Sequence, residues 1–351
     1  MKDHIFVQES EEDIRLKRVY RKLLDEESRD IYKARAFYSL VNDKSILGGI
    51  IKKSVTGKSL EQKINEHKNQ KLILFGAGTW GNAIVNYFGD VDWYACVDNK
   101  KSGGKLSNLD IISFEELKKH KDAFVVIAVE FAWREIEKQL LTAGFDEENI
   151  FAPGKIVAEK QYFDVSGVNF TDEEVFVDIG GLDGATARGF IKRVGNKYRH
   201  IHIFEPDKKS LELCRENMKK SSNCTFYPYG VWSRNTELVF VGGGEKAYCA
   251  DTDNLYPPHQ YQTVSVVTLD DILKDESITF LKIDIEGAEY EALAGAENLI
   301  KRCKPKIAIA VYHRRKDIWE LPMRLLELND DYTFYLRVYG LNANETVLYA
   351  V

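Results

Sequence analysis

Short apolar runs that end abruptly in a carboxylate or in glycine recur along this chain, and they constrain its fold more than any other feature. Leu72-Ile73-Leu74-Phe75 runs into Gly76, and Trp93-Tyr94-Ala95-Cys96-Val97 into Asp98. Val175-Phe176-Val177-Asp178-Ile179 runs into Gly180-Gly181, Ile203-Phe204 into Glu205, and Leu281-Lys282-Ile283 into Asp284-Ile285-Glu286-Gly287. Near-continuous apolar runs of this length read as strands of a parallel sheet covered on both faces. Open α/β sheets bind their ligands outside the carboxyl ends of such strands. Glycine there lets the backbone approach a ligand, and a carboxylate accepts hydrogen bonds from hydroxyl or ammonium groups. The expected fold class is α/β, with two Rossmann-like doubly wound sheets in series.

A helical amino-terminal extension is expected over residues 1–68. Ile14, Leu16, Val19, Tyr20, Leu23 and Leu24, then Ile31, Tyr32, Ala36, Phe37 and Leu40, recur at helical spacing. Gly48-Gly49 interrupts that pattern, and Ser54 to Ser59 reads as a polar turn. These helices are expected to pack on the next domain or on a second copy of the chain, which makes a homo-oligomer a candidate assembly.

Residues 69–153 are expected to form a small Rossmann-like domain. Strand, Gly76-Ala77-Gly78-Thr79-Trp80-Gly81, helix, strand and Asp98 follow one another as in a dinucleotide fingerprint. In that reading Gly76 allows the tight turn, Gly78 admits a pyrophosphate, Gly81 lets helix and strand pack closely, and Asp98 accepts hydrogen bonds from a ribose. The second mononucleotide half of a dinucleotide site is missing, so NAD(P), a sugar nucleotide and a purely structural role all remain open. Lys100, Lys101 and Lys105 read as a solvated loop, whose lysines could instead meet phosphate.

Pro153-Gly154 marks the next boundary, and residues 154–351 are expected to form the second α/β domain, opening with a connector over Lys155 to Thr171. Its strands are expected at 175–179, 201–205, 224–229, 279–284 and 306–312. A closing pair at 332–338 and 345–350 is joined by the turn-prone Gly340 to Asn344. Residues 238–241 and 263–267 read as a side ribbon. The loop between them, with Gly242-Gly243-Gly244 and Tyr256-Pro257-Pro258, is a candidate mobile cover.

This second domain resembles the FkbM family of S-adenosylmethionine-dependent methyltransferases. The hallmark Lys-x-Asp-x-Glu-Gly-x-Glu stands here as Lys282, Asp284, Glu286, Gly287 and Glu289. The glycine motif Asp-x-Gly-x-x-x-Gly stands as Asp178, Gly180 and Gly184, and the next acidic strand end as Glu205 before Pro206-Asp207. The likeness runs on through Thr268-Leu269-Asp270-Asp271 and Val311-Tyr312-His313, over roughly the last 190 residues, a domain-sized piece. One departure is Gly181-Leu182-Asp183, where the family has Ala-Asn and where Asp183 adds a negative charge. The resemblance implies a class I methyltransferase fold, S-adenosylmethionine as cofactor, and small-molecule or carbohydrate acceptors.

Under that resemblance Asp178, Gly180 and Gly184 meet the amino acid end of the cofactor, and Glu205 with Pro206 meets the ribose side. Adenine is expected near Tyr229-Gly230-Val231. Lys282, Asp284 and Glu286 share one face if the strand continues that far. There Asp284 and Glu286 can orient or deprotonate an acceptor hydroxyl, while Lys282 can instead pair with a carboxylate to hold the strand end. His313, with an ordinary pKa near about 6.5, is a candidate base. Arg314, Arg315 and Asp317 either grip an anionic acceptor or begin a solvated helix. Asp, Glu and His converge here as cation ligands do, so a divalent cation is possible, yet the spacing fixes no ligand set and no metal ligand is assigned.

Composition narrows the partners. The 351 residues carry a formal net charge of −6, which argues against non-specific nucleic-acid binding. No apolar run is long enough to span a bilayer, and the amino terminus turns acidic at once, unlike a signal peptide. Five scattered cysteines without a Cys-x-x-Cys pair read as reduced thiols of a cytoplasmic protein. The leading expectation is a methyltransferase acting on a hydroxyl, with no nucleic-acid or membrane partner. The alternatives are an NAD(P)- or sugar-nucleotide-binding enzyme working through Gly76–Gly81, which lacks a following Tyr-x-x-x-Lys pair, and a non-catalytic scaffold.

Overall fold

The computed structural model describes residues 10–101, 103–165, 167–241, 248–249 and 261–351. The chain divides into two units, one of residues 1–39, 162–336 and 347–351, the other of residues 40–161 and 337–346. Among the described residues no helix is long and apolar enough to cross a membrane.

The second of these units is built on a six-stranded sheet. Its strands are β1 (Leu72–Phe75), β2 (Trp93–Val97), β3 (Lys105–Leu106), β4 (Leu109–Ile112), β5 (Phe124–Ile127) and β6 (Ile150–Phe151), in the order β3-β4-β2-β1-β5-β6. All neighbouring pairs are parallel except β3 with β4. Every residue of β1 and β5 is buried, as expected of strands covered on both faces. Residues 54–59, read above as a turn, instead open the helix Val55–Glu66. The Ser54 hydroxyl accepts from the Gly57 amide at 3.0 Å, and the small polar residues that suggested a turn serve as a helix start. Gly48-Gly49 likewise begins the short helix Gly48–Lys53. The expected connector contains the helix Pro153–Lys160, with proline in its first turn.

The other unit carries β7 (Val175–Ile179), β8 (His200–Phe204), β9 (Cys224–Tyr227), β10 (Gly230–Val231), β11 (Thr236–Val241), β12 (Tyr248–Cys249), β13 (Tyr261–Val267), β14 (Phe280–Ile283), β15 (Lys306–Ala310), β16 (Phe334–Val338) and β17 (Thr346–Ala350). Seven of them form one sheet in the order β16-β17-β15-β14-β7-β8-β9, and β10-β13-β11-β12 form a side sheet. β17 runs antiparallel to β15, whereas β15, β14, β7, β8 and β9 are parallel. From β7 the chain winds outward through β8 and β9, then returns to the opposite side at β14. The carboxyl ends of β7 and β14 therefore flank the point where the winding reverses, which is where a ligand crevice opens.

Packing fixes that register. Phe280 of β14 lies opposite Phe176 of β7, their rings stacked at 5.1 Å. Phe163, Phe170 and Phe190 complete the cluster, the fully buried rings contributing about 1.5–3 kcal/mol each. The outer strand β16 is not left bare: Leu24 donates its amide to the Phe334 carbonyl, and the Ser28 hydroxyl accepts from the Leu336 amide. The helices Glu11–Lys22 and Glu26–Val41 around that strap thus cover a sheet edge that would otherwise offer unpaired backbone groups. Residues 242–247 and 250–260, the expected mobile cover, lie outside the described residues.

Candidate functional site: the carboxyl ends of β7, β8 and β14

The loop after β7 bends through three left-handed residues, Gly180 (φ +81°), Leu182 (φ +44°) and Gly184 (φ +78°), before the helix Ala185–Arg193. Gly180 is required for space as well as conformation, because a Cβ there would sit 2.1 Å from the Asp284 carbonyl oxygen. The Gly180 and Gly181 amides both donate to the Phe204 carbonyl. Glu205 locks the loop from the next strand. One of its carboxylate oxygens accepts from the Leu182 amide and the other from the Asp207 amide, each at 2.8 Å. Burial pushes the Glu205 carboxyl upward, opposed by those two amides. Pro206 lies beside Gly230, the start of the expected adenine side. The unusual Asp183 is not a loose charge. It accepts from the Ala185 amide at 2.8 Å, and Arg188 lies 3.5 Å from its carboxylate.

Beneath this loop, Asp178 has no exposed surface, and Lys282 Nζ stands 3.1 Å from its Oδ1. Lys282 aims its hydrogen bonds elsewhere, at the carbonyls of Ile179 (3.2 Å) and Gly180 (2.7 Å), so among the described residues neither oxygen of Asp178 has a hydrogen-bond partner. Burial pushes the Asp178 carboxyl up, with Lys282 opposing it. At Lys282 the balance tips the other way: burial acts downward, but Asp178 and Asp284 outweigh it and keep the ammonium charged. Lys282 is therefore anchored under the strand end rather than turned to the mouth of the crevice.

Asp284 and Glu286 do not continue the strand as expected. β14 ends at Ile283, and Glu286 takes a left-handed φ of +56°, so the chain turns there. This brings Asp284 Oδ1 and Glu286 Oε2 each to 3.5 Å from His313 Nε2. His313 itself lies beyond the end of β15 at Ala310. Its Nδ1 meets Glu289 Oε1 at 2.9 Å, and Glu289 also accepts from the Ile285 and Gly287 amides. Burial acts to lower the imidazole pKa, but Glu289, Asp284 and Glu286 overcome it and push it up to about 9. Glu289 is shifted down, burial being outweighed by His313 and the amides.

Two participants were not among the candidates drawn from sequence. Tyr162, at left-handed φ +71°, donates its hydroxyl to Asp284 Oδ2, and its ring centroid lies 5.4 Å from Lys282 Nζ. Nothing in the polar segment around it signals that role. Glu289 was visible as part of the repeated acidic motif but was not tied to His313. Arg314 and Arg315 are exposed. Asp317 starts the helix Asp317–Leu328 and accepts from the Arg314 amide at 2.7 Å.

In the other unit Gly76 is left-handed (φ +126°), and a Cβ on Gly81 would lie 2.1 Å from the Gly76 carbonyl oxygen. Gly78 borders open space. Asp98 is engaged by three backbone amides, those of Ala77 (2.9 Å), Lys100 (2.8 Å) and Lys101 (3.0 Å). Lys101 is drawn into the same turn through the Ala77 carbonyl, and is not a freely solvated side chain.

Residues 178–340 match the family model of the methyltransferase FkbM domain, and residues 68–151 match that of the C2185-like N-terminal domain. The 2-O-methyltransferase NoeI of Sinorhizobium fredii (strain NBRC 101917 / NGR234) is 27% identical over 174 residues, covering 44% of this chain and 70% of NoeI. The crystal structure of methyltransferase FkbM from Methylobacillus flagellatus KT shares the fold, with a TM-score of 0.52 at 19% identity over 92% of this chain and 99% of that one. The sheet order and these matches place this domain among the class I methyltransferases, enzymes that depend on S-adenosylmethionine. Residues 178–340 form a domain of the FkbM methyltransferase family.

Proposed function

We propose that this protein binds S-adenosylmethionine in the crevice beside Gly180–Gly184 and methylates a hydroxyl oxygen of a carbohydrate or another small molecule. The observation that carries the reading is the contact of Gly180 with the Asp284 backbone, so close that no side chain fits between them. It makes the glycine loop and the acidic cluster two walls of one opening. The 2-O-methyltransferase name of the relative NoeI supports oxygen as the acceptor atom.

The residues fit the donor. Each Glu205 oxygen takes one backbone amide and keeps capacity for another donor, as a ribose diol would supply. Gly180, Gly184 and Pro206 shape the walls around it. Asp178 has no surface to offer, so it acts through Lys282, whose bonds to the Ile179 and Gly180 carbonyls set the loop. The donor contributes an already activated methyl group on a sulfonium. The protein then has mainly to position the acceptor and manage one proton. The His313 imidazole is held protonated at neutral pH, so Asp284 and Glu286 are the groups that can accept the hydroxyl proton. Tyr162 occupies Asp284 Oδ2 and leaves Oδ1 for that task.

The test is release of S-adenosylhomocysteine with a panel of mono- and oligosaccharides bearing free hydroxyls. Turnover that falls by about 10²–10⁴ in Asp284→Asn, the usual contribution of general acid–base catalysis, is expected. Transfer to amine or thiol acceptors alone would overturn the oxygen assignment, and transfer to carboxylates alone would overturn the hydroxyl.

A further inference from the structure

Three consecutive basic residues, Arg314, Arg315 and Lys316, stand between His313 and the helix Asp317–Leu328. They are not equivalent. The helix start is built from other atoms: Asp317 Oδ2 accepts from the Arg314 amide at 2.7 Å, and the Arg315 carbonyl accepts from the Ser39 hydroxyl at 2.6 Å. Lys316 Nζ lies 3.9 Å from a Glu12 carboxylate oxygen. The Arg314 guanidinium takes part in none of this. Among the described residues it makes no hydrogen bond and no ion pair. Yet three carboxylates, those of Asp284, Glu286 and Glu289, lie within 3.5 Å of its neighbour His313.

The side chain of Arg314 is nevertheless placed. It lies against Gly287, where a Cβ would stand 3.4 Å from Arg314 Nε and 3.7 Å from His313 Cβ. Gly287 is left-handed (φ +97°) and directly follows Glu286. The guanidinium therefore sits beside the turn whose carboxylates can take the acceptor's proton, with its donors unspent. A guanidinium carries five N–H donors in a planar fork that matches two oxygens of a carboxylate or phosphate at once. A neutral hydroxyl uses one donor and none of the charge, whereas an oxyanion uses both the paired geometry and the charge. A cation here also offsets the repulsion that Asp284 and Glu286 exert on an incoming anion.

We propose that Arg314 is the acceptor-recognition residue of this site, and that the acceptor carries an anionic oxygen group, a carboxylate or a phosphate ester, besides the hydroxyl that is methylated. This narrows, and rests on, the function proposed above: the acceptor becomes an acidic carbohydrate. Glu286 and Arg314 both border Gly287, so one sugar can present its hydroxyl to the carboxylates and its anionic group to the guanidinium. Arg315 is equally exposed, but no contact among the described residues brings it to Gly287, and it serves as the control.

The test is ligand-observed NMR titration of the full chain, saturated with S-adenosylhomocysteine, with glucose, glucuronate and glucose 6-phosphate, which share a ring and differ at carbon 6. One of the two anions should bind at least tenfold tighter than glucose, and which one does assigns the carboxylate or the phosphate. Arg314→Gln should erase the difference. Arg314→Lys should keep part of it, as a charge without the paired donors, and Arg315→Gln should keep it whole. S-adenosylhomocysteine binding by each variant checks its fold. Wild type that binds S-adenosylhomocysteine but takes neither anion tighter than glucose would overturn the acidic acceptor and leave the methyltransferase reading standing. An anion preference that survives Arg314→Gln, or that Arg315→Gln lowers as much, would refute the role of Arg314. Absence of S-adenosylhomocysteine binding by folded wild type would instead overturn the proposed function, and the acidic acceptor with it.

Discussion

Replacing Lys282 by methionine keeps most of the side-chain volume but removes the charge facing Asp178. Asp178 has no exposed surface and Lys282 only 3%, with 3.1 Å between their charged atoms. Removing one partner of a buried pair costs about 3–5 kcal/mol, because the other charge is stranded without water. The two carbonyls of Ile179 and Gly180 also lose their donor. For a folded unit of this size each kcal/mol lowers Tm by about 2–4 °C, so the melting point should fall by ~6–20 °C. Asp178 can relieve part of the loss by taking a proton, since burial already pushes its carboxyl upward. The deficit should therefore shrink toward acidic pH and widen toward alkaline pH. Adding Asp178→Asn to Lys282→Met removes the stranded charge and should recover at least half of the loss. Calorimetry and circular dichroism on wild type, single and double variants would measure this. A single variant within about 1 kcal/mol of wild type at neutral pH would refute the buried-pair argument, as would a double variant less stable than the single one.

Other expectations follow from the same geometry. Burial pushes Asp317 up to about 7 from an ordinary 3.8, so its contribution favours the fold at low pH and is lost as pH rises through about 7. Asp317→Asn should flatten that part of a urea-midpoint profile. His313, raised to about 9, stabilises the fold fully below about 6.5 and loses that contribution as pH rises through about 9. Glu289→Gln should move the His313 titration, followed by NMR, back toward the ordinary range. An unchanged titration would mean that Asp284 and Glu286 alone hold the proton. Tyr162→Phe should lower kcat more than it raises KM, because the lost hydroxyl orients Asp284; a change in KM alone would remove Tyr162 from that role.

Strand positions were legible because parallel strands buried on both faces have no freedom in composition. Val175–Ile179 and Leu72–Phe75 can be read straight off their apolar runs and the glycines that end them. Helix starts were harder where capping residues double as turn residues. Ser54 looked like part of a turn because a side chain that bonds its neighbours' amides serves either structure. The curl of Asp284 to Glu286 was hidden for a related reason. Alternation with Ile283 and Ile285 mimics a strand, but β14 ends at Ile283 and the turn that follows is held by Glu289, which accepts from the Ile285 and Gly287 amides. Tyr162 illustrates the limit most plainly: its hydroxyl meets Asp284 across 122 positions of chain, and no local pattern encodes such a meeting. The sheet edge covered by Leu24 and Ser28 is equally non-local, since the helical spacing shows an apolar face without naming what it covers.

The most direct test is calorimetric titration of ligand-freed wild-type protein and Glu205→Ala with S-adenosylmethionine. Saturable one-to-one binding by the wild type, weakened at least tenfold in a variant that remains folded, is the predicted result. No binding by a folded wild type, or undiminished binding by Glu205→Ala, would contradict the placement of the donor beside β7 and β8.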